Sequence, residues 1–359
     1  MDIVGGDTGA GKRRNPIFVA QQEHGLPYSK GMTASSLMAT GLGPGRSYAV
    51  ANKVEEELRA LKTDTVTSEE LQEMTLQILR REAGDRYAEA FIKWHSVAAL
   101  DIPLIILIGG ATGVGKSTIA TQLATRLGIT RVVSTDAVRE VLRSAFTREM
   151  FPTLYSSSFE ADMAVRQPIP HSGDRLIIGF REQAAAVAVG AQALIQRAIT
   201  EGTDIILEGA HLVPGFLQQV ESDKAVIVPL LVTIDDEDLH RSHFYYRTRD
   251  SRNRPGDRYL AAFKKIRRIQ KYMISSSMVR GVPIIPHYDL DATLTQIIDH
   301  VLTKTFETAG RGVDVGGGDD TLLEKAVEVM DKTRAEGEAN AAGNGSDKQH
   351  EGSTREAVS

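Results

Sequence analysis

Apolar and polar positions fall into two patterns along this chain. Residues Leu104 to Ile108 form a continuous apolar run, the pattern of a strand buried on both faces of a parallel sheet. After a short glycine-rich break, Ile119, Leu123 and Leu127 recur at helical spacing. The same alternation continues downstream. Thr130–Ser134, Asp204–Glu208, Val226–Ile234 (interrupted by Pro229) and Val282–Ile285 read as strands. Helical patterns separate them, starting at Asp136, running from about Arg175 to Thr200, and closing with Asp291–Thr303. Strands alternating with helices predict an α/β domain built on a parallel sheet with helices on its faces. Upstream the pattern is different. Ile17-Phe18-Val19 predicts a short strand that turns through Gln21–Gly25 into a hairpin ending near Pro27-Tyr28. Helical patterns follow, carrying Leu37 and Met38, then Val50, Val54 and Leu58, then Leu71, Met74, Ile78 and Leu79, and finally Tyr87, Phe91 and Trp94. Thr67-Ser-Glu-Glu70 places hydroxyls before acids, as at a helix start. This predicts a small α-rich unit ahead of the α/β domain.

The break after Ile108 carries the chemistry. Gly110-Ala-Thr-Gly-Val-Gly-Lys-Ser117 fits G-x-x-x-x-G-K-[ST] at every fixed position, between a strand and a helix as that motif requires. Gly110, Gly113 and Gly115 let the backbone turn tightly and bring N–H groups against phosphate oxygens. The helix beginning near Lys116 adds the positive end of its dipole. Lys116 has the reach for β- and γ-phosphates, and the Ser117 hydroxyl can ligate Mg²⁺. The segment from Gly110 through Ala111, Thr112, Gly113, Val114, Gly115, Lys116 and Ser117 to Thr118 is therefore the expected ATP-phosphate site.

Ligands of open α/β sheets gather outside the carboxyl ends of the strands. Asp136, just past the second strand, has two readings. It is the N-cap of its helix, or it orients or deprotonates a substrate hydroxyl, and one residue can do both. Arg139, at helical spacing from Asp136, suits an anionic substrate. Glu208 ends the third strand, where an acid beside a phosphate loop orders Mg²⁺ and its waters; the alternative is a structural acid. His211 is a candidate substrate contact or a satisfied structural histidine. Residues 146–173, with Pro152, Pro168 and Pro170, read as a long irregular loop and a substrate cover.

The stretch His240–Arg254 is strongly basic, and Lys264, Lys265, Arg267 and Arg268 continue it, with only Asp250 and Asp257 nearby to oppose them. One reading is a lid whose arginines, Arg247, Arg249, Arg252 and Arg254, neutralise phosphoryl charge in transfer. Another is a solvated helix face. Nucleic-acid binding fits poorly, because the 359-residue chain carries a net charge of −5.

The absence of cysteine excludes disulfides, thiolate metal sites and a cysteine nucleophile. The N-terminus lacks the charged head and apolar core of a signal peptide, and no apolar run approaches the ~18–20 residues of a membrane span. The expectation is a cytoplasmic protein with no membrane or nucleic-acid partner; a homo-oligomer stays open. Residues 1–14 and, from about residue 307, an acidic Gly/Ala/Ser-rich tail are expected to be disordered, apart from a short helical pattern near Leu322–Met330.

Two resemblances sharpen this picture. Gly25-Leu-Pro-Tyr-Ser-Lys-Gly31, Ser35-Ser-Leu37, Val54-Glu-Glu-Glu-Leu58 and Thr67-Ser-Glu-Glu-Leu71 resemble the ATP-cone, a nucleotide-sensing regulatory domain, with Lys30 at its lysine position and Tyr28 two residues earlier. Gly109–Ser117, Ser134-Thr-Asp-Ala-Val-Arg139, Ile206–Gly215 and Ile266-Arg-Arg-Ile-Gln270 resemble the 2-phosphoglycerate kinases over roughly residues 15–304. The resemblance implies an ATP-cone-like domain over 15–97 and a P-loop kinase domain over 98–306. It implies phosphorylation of 2-phosphoglycerate to 2,3-bisphosphoglycerate with ATP and Mg²⁺, and an allosteric nucleotide at Lys30. In that reaction Lys116, Asp136, Arg247 and Arg249 are the expected catalytic residues. Asp136, Arg139, His211, Arg252 and Arg254 are expected to hold the substrate, and Ser117 and Glu208 the metal. Two rival functions stay open: a kinase for another small phosphorylated or polyol acceptor, and a nucleotide-sensing regulatory ATPase.

Overall fold

A computed structural model describes residues 17–21, 24–98, 102–217, 224–250 and 256–309 of the chain. It divides into two compact units, Met1–Phe91 and Ile92–Ser359. The expected disordered terminus 1–14 and the tail helix near Leu322–Met330 lie outside the described residues.

In the first unit β1 (Phe18–Gln21) and β2 (His24–Pro27) form the expected hairpin, with Phe18 opposite Pro27 and Gln21 opposite His24. A third strand, β3 (Thr65–Thr67), pairs in parallel with β1 and was not foreseen. Three residues are too few to show alternation. Helices α1 (Lys30–Met38), α2 (Pro44–Ala60) and α3 (Ser68–Ala83) follow the apolar spacing read from the sequence. They bury Leu37, Val54, Leu58, Ile78 and Leu79. The start signal before α3 is a complete capping box: Thr67 accepts from the Glu70 N–H, and the Glu70 carboxylate accepts from the Thr67 N–H. Helix α4 (Asp85–Ala98) follows and runs across the division between Phe91 and Ile92.

The second unit is built on five parallel strands: β4 (Leu104–Gly109), β5 (Val132–Ser134), β6 (Ile205–Gly209), β7 (Val226–Thr233) and β8 (Ile284–Pro286), in the order β5-β6-β4-β7-β8. The first strand in the chain is thus the middle one. The chain fills one side of β4 and then crosses to the other, which opens a crevice at the carboxyl end of β4. Registers place Gly109 beside Gly209, and Ser134 beside Glu208, so the ends of β4, β5 and β6 are level. Strand β7 tolerates Pro229 because β8 pairs with it only from Leu231 onward.

Helices α5 (Lys116–Leu127), α6 (Thr135–Ala145), α7 (Arg175–Glu201), α8 (Glu237–Asp250), α9 (Gly256–Ala261), α10 (Phe263–Arg280) and α11 (Leu290–Ala309) complete the unit. Residues 146–173 are more ordered than the sequence suggested. They form two 3-10 segments, Pro152–Tyr155 and Ser158–Ala164, packed on α7. A Cβ at Gly179 of α7 would stand 2.5 Å from the Ala161 carbonyl, so glycine there permits the close approach. No described helix is long and apolar enough to cross a membrane.

Candidate active site

The glycine loop leaves β4 and runs straight into α5. Gly113 and Gly115 both have φ of +89°, a region that strains other residues. At Gly113 there is a steric reason as well, since a Cβ would lie 2.4 Å from the Phe244 ring. Lys116 is buried, and its Nζ donates to the Ala111 carbonyl at 2.9 Å, curling the side chain back along the loop. Ser117 Oγ donates to Glu208 Oε1 at 2.8 Å. The level ends of β4 and β6 make that contact possible across 91 residues of sequence.

A cleft of about 460 Å³ opens over the loop. Thr112, Gly113, Gly115, Lys116, Ser117 and Thr118 form its floor. Gly110, Ala111 and Val114 stand behind that floor and shape it: Ala111 and Val114 are buried, and a Cβ at Gly110 would meet the Val232 carbonyl at 2.5 Å. Ser134, Asp136, Ser158, Glu208, Gly209 and Ala210 line one wall, and His243, His287 and Leu290 another.

Helix α8 is fastened to the loop by two histidines. His240 Nε2 donates to the Thr112 carbonyl at 2.9 Å, and His243 Nδ1 to the Gly113 carbonyl at 3.0 Å. The His240 ring stacks on Phe244, and burial holds its pKa down at about 4. His287 is also held below its ordinary value, by burial and then by His243, whose ring centroid is 5.7 Å away. His243 and His287 were not singled out in the sequence. His287, directly after β8, is where the strand-end rule points, whereas His243 comes from within α8.

Asp136 lines the cleft and is largely exposed, but it is not the cap of α6. Ser134 is the N-cap, accepting from the Ala137 N–H at 3.1 Å. Both residues suit that role by type; the first helical residue, Thr135, settles which one holds it. Arg139 does not line the cleft. Its Nη1 donates to the Ser156 carbonyl at 2.5 Å, and Nη2 lies 3.8 Å from Asp136. His211 is buried behind the wall, with both ring nitrogens engaged, by Thr135 and Gln183. Arg247 and Arg249 fall on the last turns of α8, whose backbone alone is described there. Arg252 and Arg254 lie outside the described residues.

The second half of the basic stretch is tied to neighbouring elements by ion pairs and hydrogen bonds. Lys265 pairs with Asp162 at 2.7 Å and Arg268 with Asp174 at 2.5 Å. Arg258 pairs with Glu160 and donates to Ser157 Oγ at 3.0 Å, and Arg267 donates to the Ile234 and Asp235 carbonyls. These bonds fix α9 and α10 against the 3-10 segments, the start of α7 and the end of β7. In the first unit, Lys30 pairs with Glu55 at 3.3 Å, and Tyr28 Oη donates to the Ala51 carbonyl.

A parallel sheet whose central strand feeds a complete phosphate loop, with an acid from the next strand on the loop serine, defines a P-loop nucleotide-binding domain. An ATP cone domain profile matches residues 26–98. The chain is 39% identical to the 2-phosphoglycerate kinase of Methanothermobacter thermautotrophicus, over 82% of this chain and 97% of that one. It is 41% identical to that of Pyrococcus furiosus, over 79% and 91%, and 39% identical to that of Pyrococcus horikoshii, over 81% and 95%. The chain belongs to the 2-phosphoglycerate kinase family.

Proposed function

We propose that the protein transfers the γ-phosphoryl group of ATP to the free hydroxyl of 2-phosphoglycerate, giving 2,3-bisphosphoglycerate and ADP. The observation that carries this is the single cleft that joins the phosphate loop, with its Ser117–Glu208 pair, to the carboxylate of Asp136.

The loop N–H groups and the N-terminus of α5 hold the nucleotide phosphates. Lys116 exchanges the Ala111 carbonyl for a phosphate oxygen and follows the charge as it moves to the β–γ bridge. Ser117 and Glu208 suit a hydrated Mg²⁺ that arrives with the nucleotide. They offer one hydroxyl and one carboxylate, and among the described residues no group of three or more His, Asp or Glu side chains forms a dedicated cage. Bound there, the ion would neutralise phosphate charge. Asp136 takes the acceptor hydroxyl's proton as its oxygen bonds to the γ-phosphorus and the bond from that phosphorus to the bridging oxygen breaks. Two phosphorylated reactants repel each other, and the arginines of the α8 region supply the compensating guanidinium charge. The ATP-cone domain carries a separate nucleotide site that includes Lys30 and reports on the kinase domain.

A panel of acceptors tests the assignment. With purified full-length chain, ATP and Mg²⁺, mass spectrometry should detect a bisphosphorylated product from 2-phosphoglycerate at a rate well above glycerate or 3-phosphoglycerate. A polyol or another phosphorylated acid turned over faster would reassign the acceptor. ATP hydrolysis with no phosphorylated product from any acceptor would leave a nucleotide-sensing ATPase.

A further inference from the structure

The Asp136 end of the cleft is backed by a ring of buried hydrogen bonds. It starts at Thr135, the fully buried neighbour of Asp136, whose Oγ1 is 2.8 Å from His211 Nδ1. His211 Nε2 is 3.1 Å from Oε1 of Gln183, also fully buried, on α7. Gln183 Nε2 donates to the carbonyls of Thr153 at 2.5 Å and Ser156 at 2.8 Å. The Ser156 carbonyl also accepts from Arg139 Nη1. The path leaves α6 at Thr135 and returns to it at Arg139, through the loop after β6, α7 and the segment before Ser158.

Counting donors fixes the direction of every bond. Two carbonyls can be met only by the amide NH₂ of Gln183, so its oxygen faces His211. Nε2 of His211 then carries the hydrogen, Nδ1 accepts, and the Thr135 hydroxyl donates. His211 is a single neutral tautomer. Burial holds its pKa down at about 4, with Arg139 on α6 and Lys116 on α5 adding to the effect and Asp136 opposing it. The ring also depends on Gly209, where a Cβ would overlap Thr135 Oγ1 at 1.7 Å.

We propose that Thr135, His211 and Gln183 are positioning residues for the acceptor. Their bonds set the first turn of α6, with Asp136, against the segment that leads to Ser158, and Asp136 and Ser158 both line the cleft. None of the three touches substrate. The proposal rests on the reading that the Asp136 end of the cleft receives the acceptor.

The test uses the full-length chain with Gln183→Glu and His211→Phe. A carboxylate at 183 still accepts from His211 but offers no donor to the two carbonyls, and burial against them raises its pKa. The kcat/KM for 2-phosphoglycerate should fall about tenfold or more, mainly through kcat, as expected when a reacting group is misplaced by a fraction of an ångström, while the KM for ATP stays within about twofold. In Gln183→Glu the acceptor kcat/KM should recover as pH falls from about 8 to about 6, because a protonated carboxyl again donates; the wild-type acceptor kcat/KM should not show that recovery. A rise in the KM for ATP as large as the loss in kcat, an unchanged acceptor kcat/KM in a folded variant, or a pH profile parallel to wild type would overturn the proposal. Gln183→Glu is isosteric and carries the test if His211→Phe does not fold. A wild-type chain that turns over no acceptor would defeat the functional reading instead. The ring itself is then decided by ¹⁵N spectra of histidine-labelled protein: a neutral Nε2–H tautomer for His211 upholds it, and a Nδ1–H or averaged ring refutes it.

Discussion

At the scale of single residues, the site separates groups that act on charge from groups that hold shape. Lys116 is buried against its own loop, with its ammonium on the Ala111 carbonyl, and it lines the cleft. Lys116→Ala should therefore abolish phosphoryl transfer while the circular dichroism spectrum stays native; near-normal turnover by a folded variant would contradict its role. Asp136 and Ser134 divide two duties that the sequence reading assigned to Asp136: Ser134 caps α6, and Asp136 lines the cleft. Ser134→Ala should cost about 1 kcal/mol of stability in a chemical denaturation series, the usual loss for a helix cap. Asp136→Asn should leave that stability unchanged and lower kcat by ~10²–10⁴, with ATP affinity retained. Lost stability with intact kcat in Asp136→Asn would remove it from the chemistry.

At the scale of elements, the two histidines on α8 explain how a helix is fastened to a loop of glycines. His240 is buried and held near pKa 4, as is His211, against an ordinary value of 6.5. Below pH 6.5 the unfolded chain takes up protons at these positions that the native chain refuses until about pH 4. Stability should thus be full above pH 6.5 and fall as pH drops toward 4, by on the order of 1.4 kcal/mol per pH unit for each histidine. Melting temperatures between pH 7.5 and 4.5 check this; replacing His240 by Gln should flatten part of the slope, and an unchanged slope would contradict its assignment. The strands of the second unit and its phosphate loop were legible because each is specified by consecutive residues. What was not legible depends on residues far apart. The partners of Arg258, Lys265 and Arg268 are Glu160, Asp162 and Asp174, about a hundred positions away. The basic stretch therefore read as a lid carried by Arg247, Arg249, Arg252 and Arg254 or as a solvated face, and the tertiary ties of its second half were not legible. His211 read either as a substrate contact or as a satisfied structural histidine, and the sequence could not decide because Thr135 and Gln183, which occupy its ring, are brought to it only by the sheet and α7. Strand β3 was invisible because a three-residue partner shows no periodicity.

At the scale of the whole molecule, an ATP cone domain is joined in one chain to a kinase domain. Regulation requires that nucleotide in the first favour one state of the second. In full-length protein disabled at the phosphate loop by Lys116→Ala, calorimetry should still detect ATP binding, and adding Lys30→Ala should remove it. No residual binding in the single variant would leave the N-terminal domain structural. The central claim is the fate of the γ-phosphoryl group, and isotope tracing addresses it most directly. ATP labelled with ¹⁸O in its γ-phosphate is incubated with full-length protein, Mg²⁺ and 2-phosphoglycerate, and the products are resolved by mass spectrometry. The account predicts the label in the newly added phosphate of 2,3-bisphosphoglycerate, with none transferred by Lys116→Ala. Label recovered only as inorganic phosphate would contradict it.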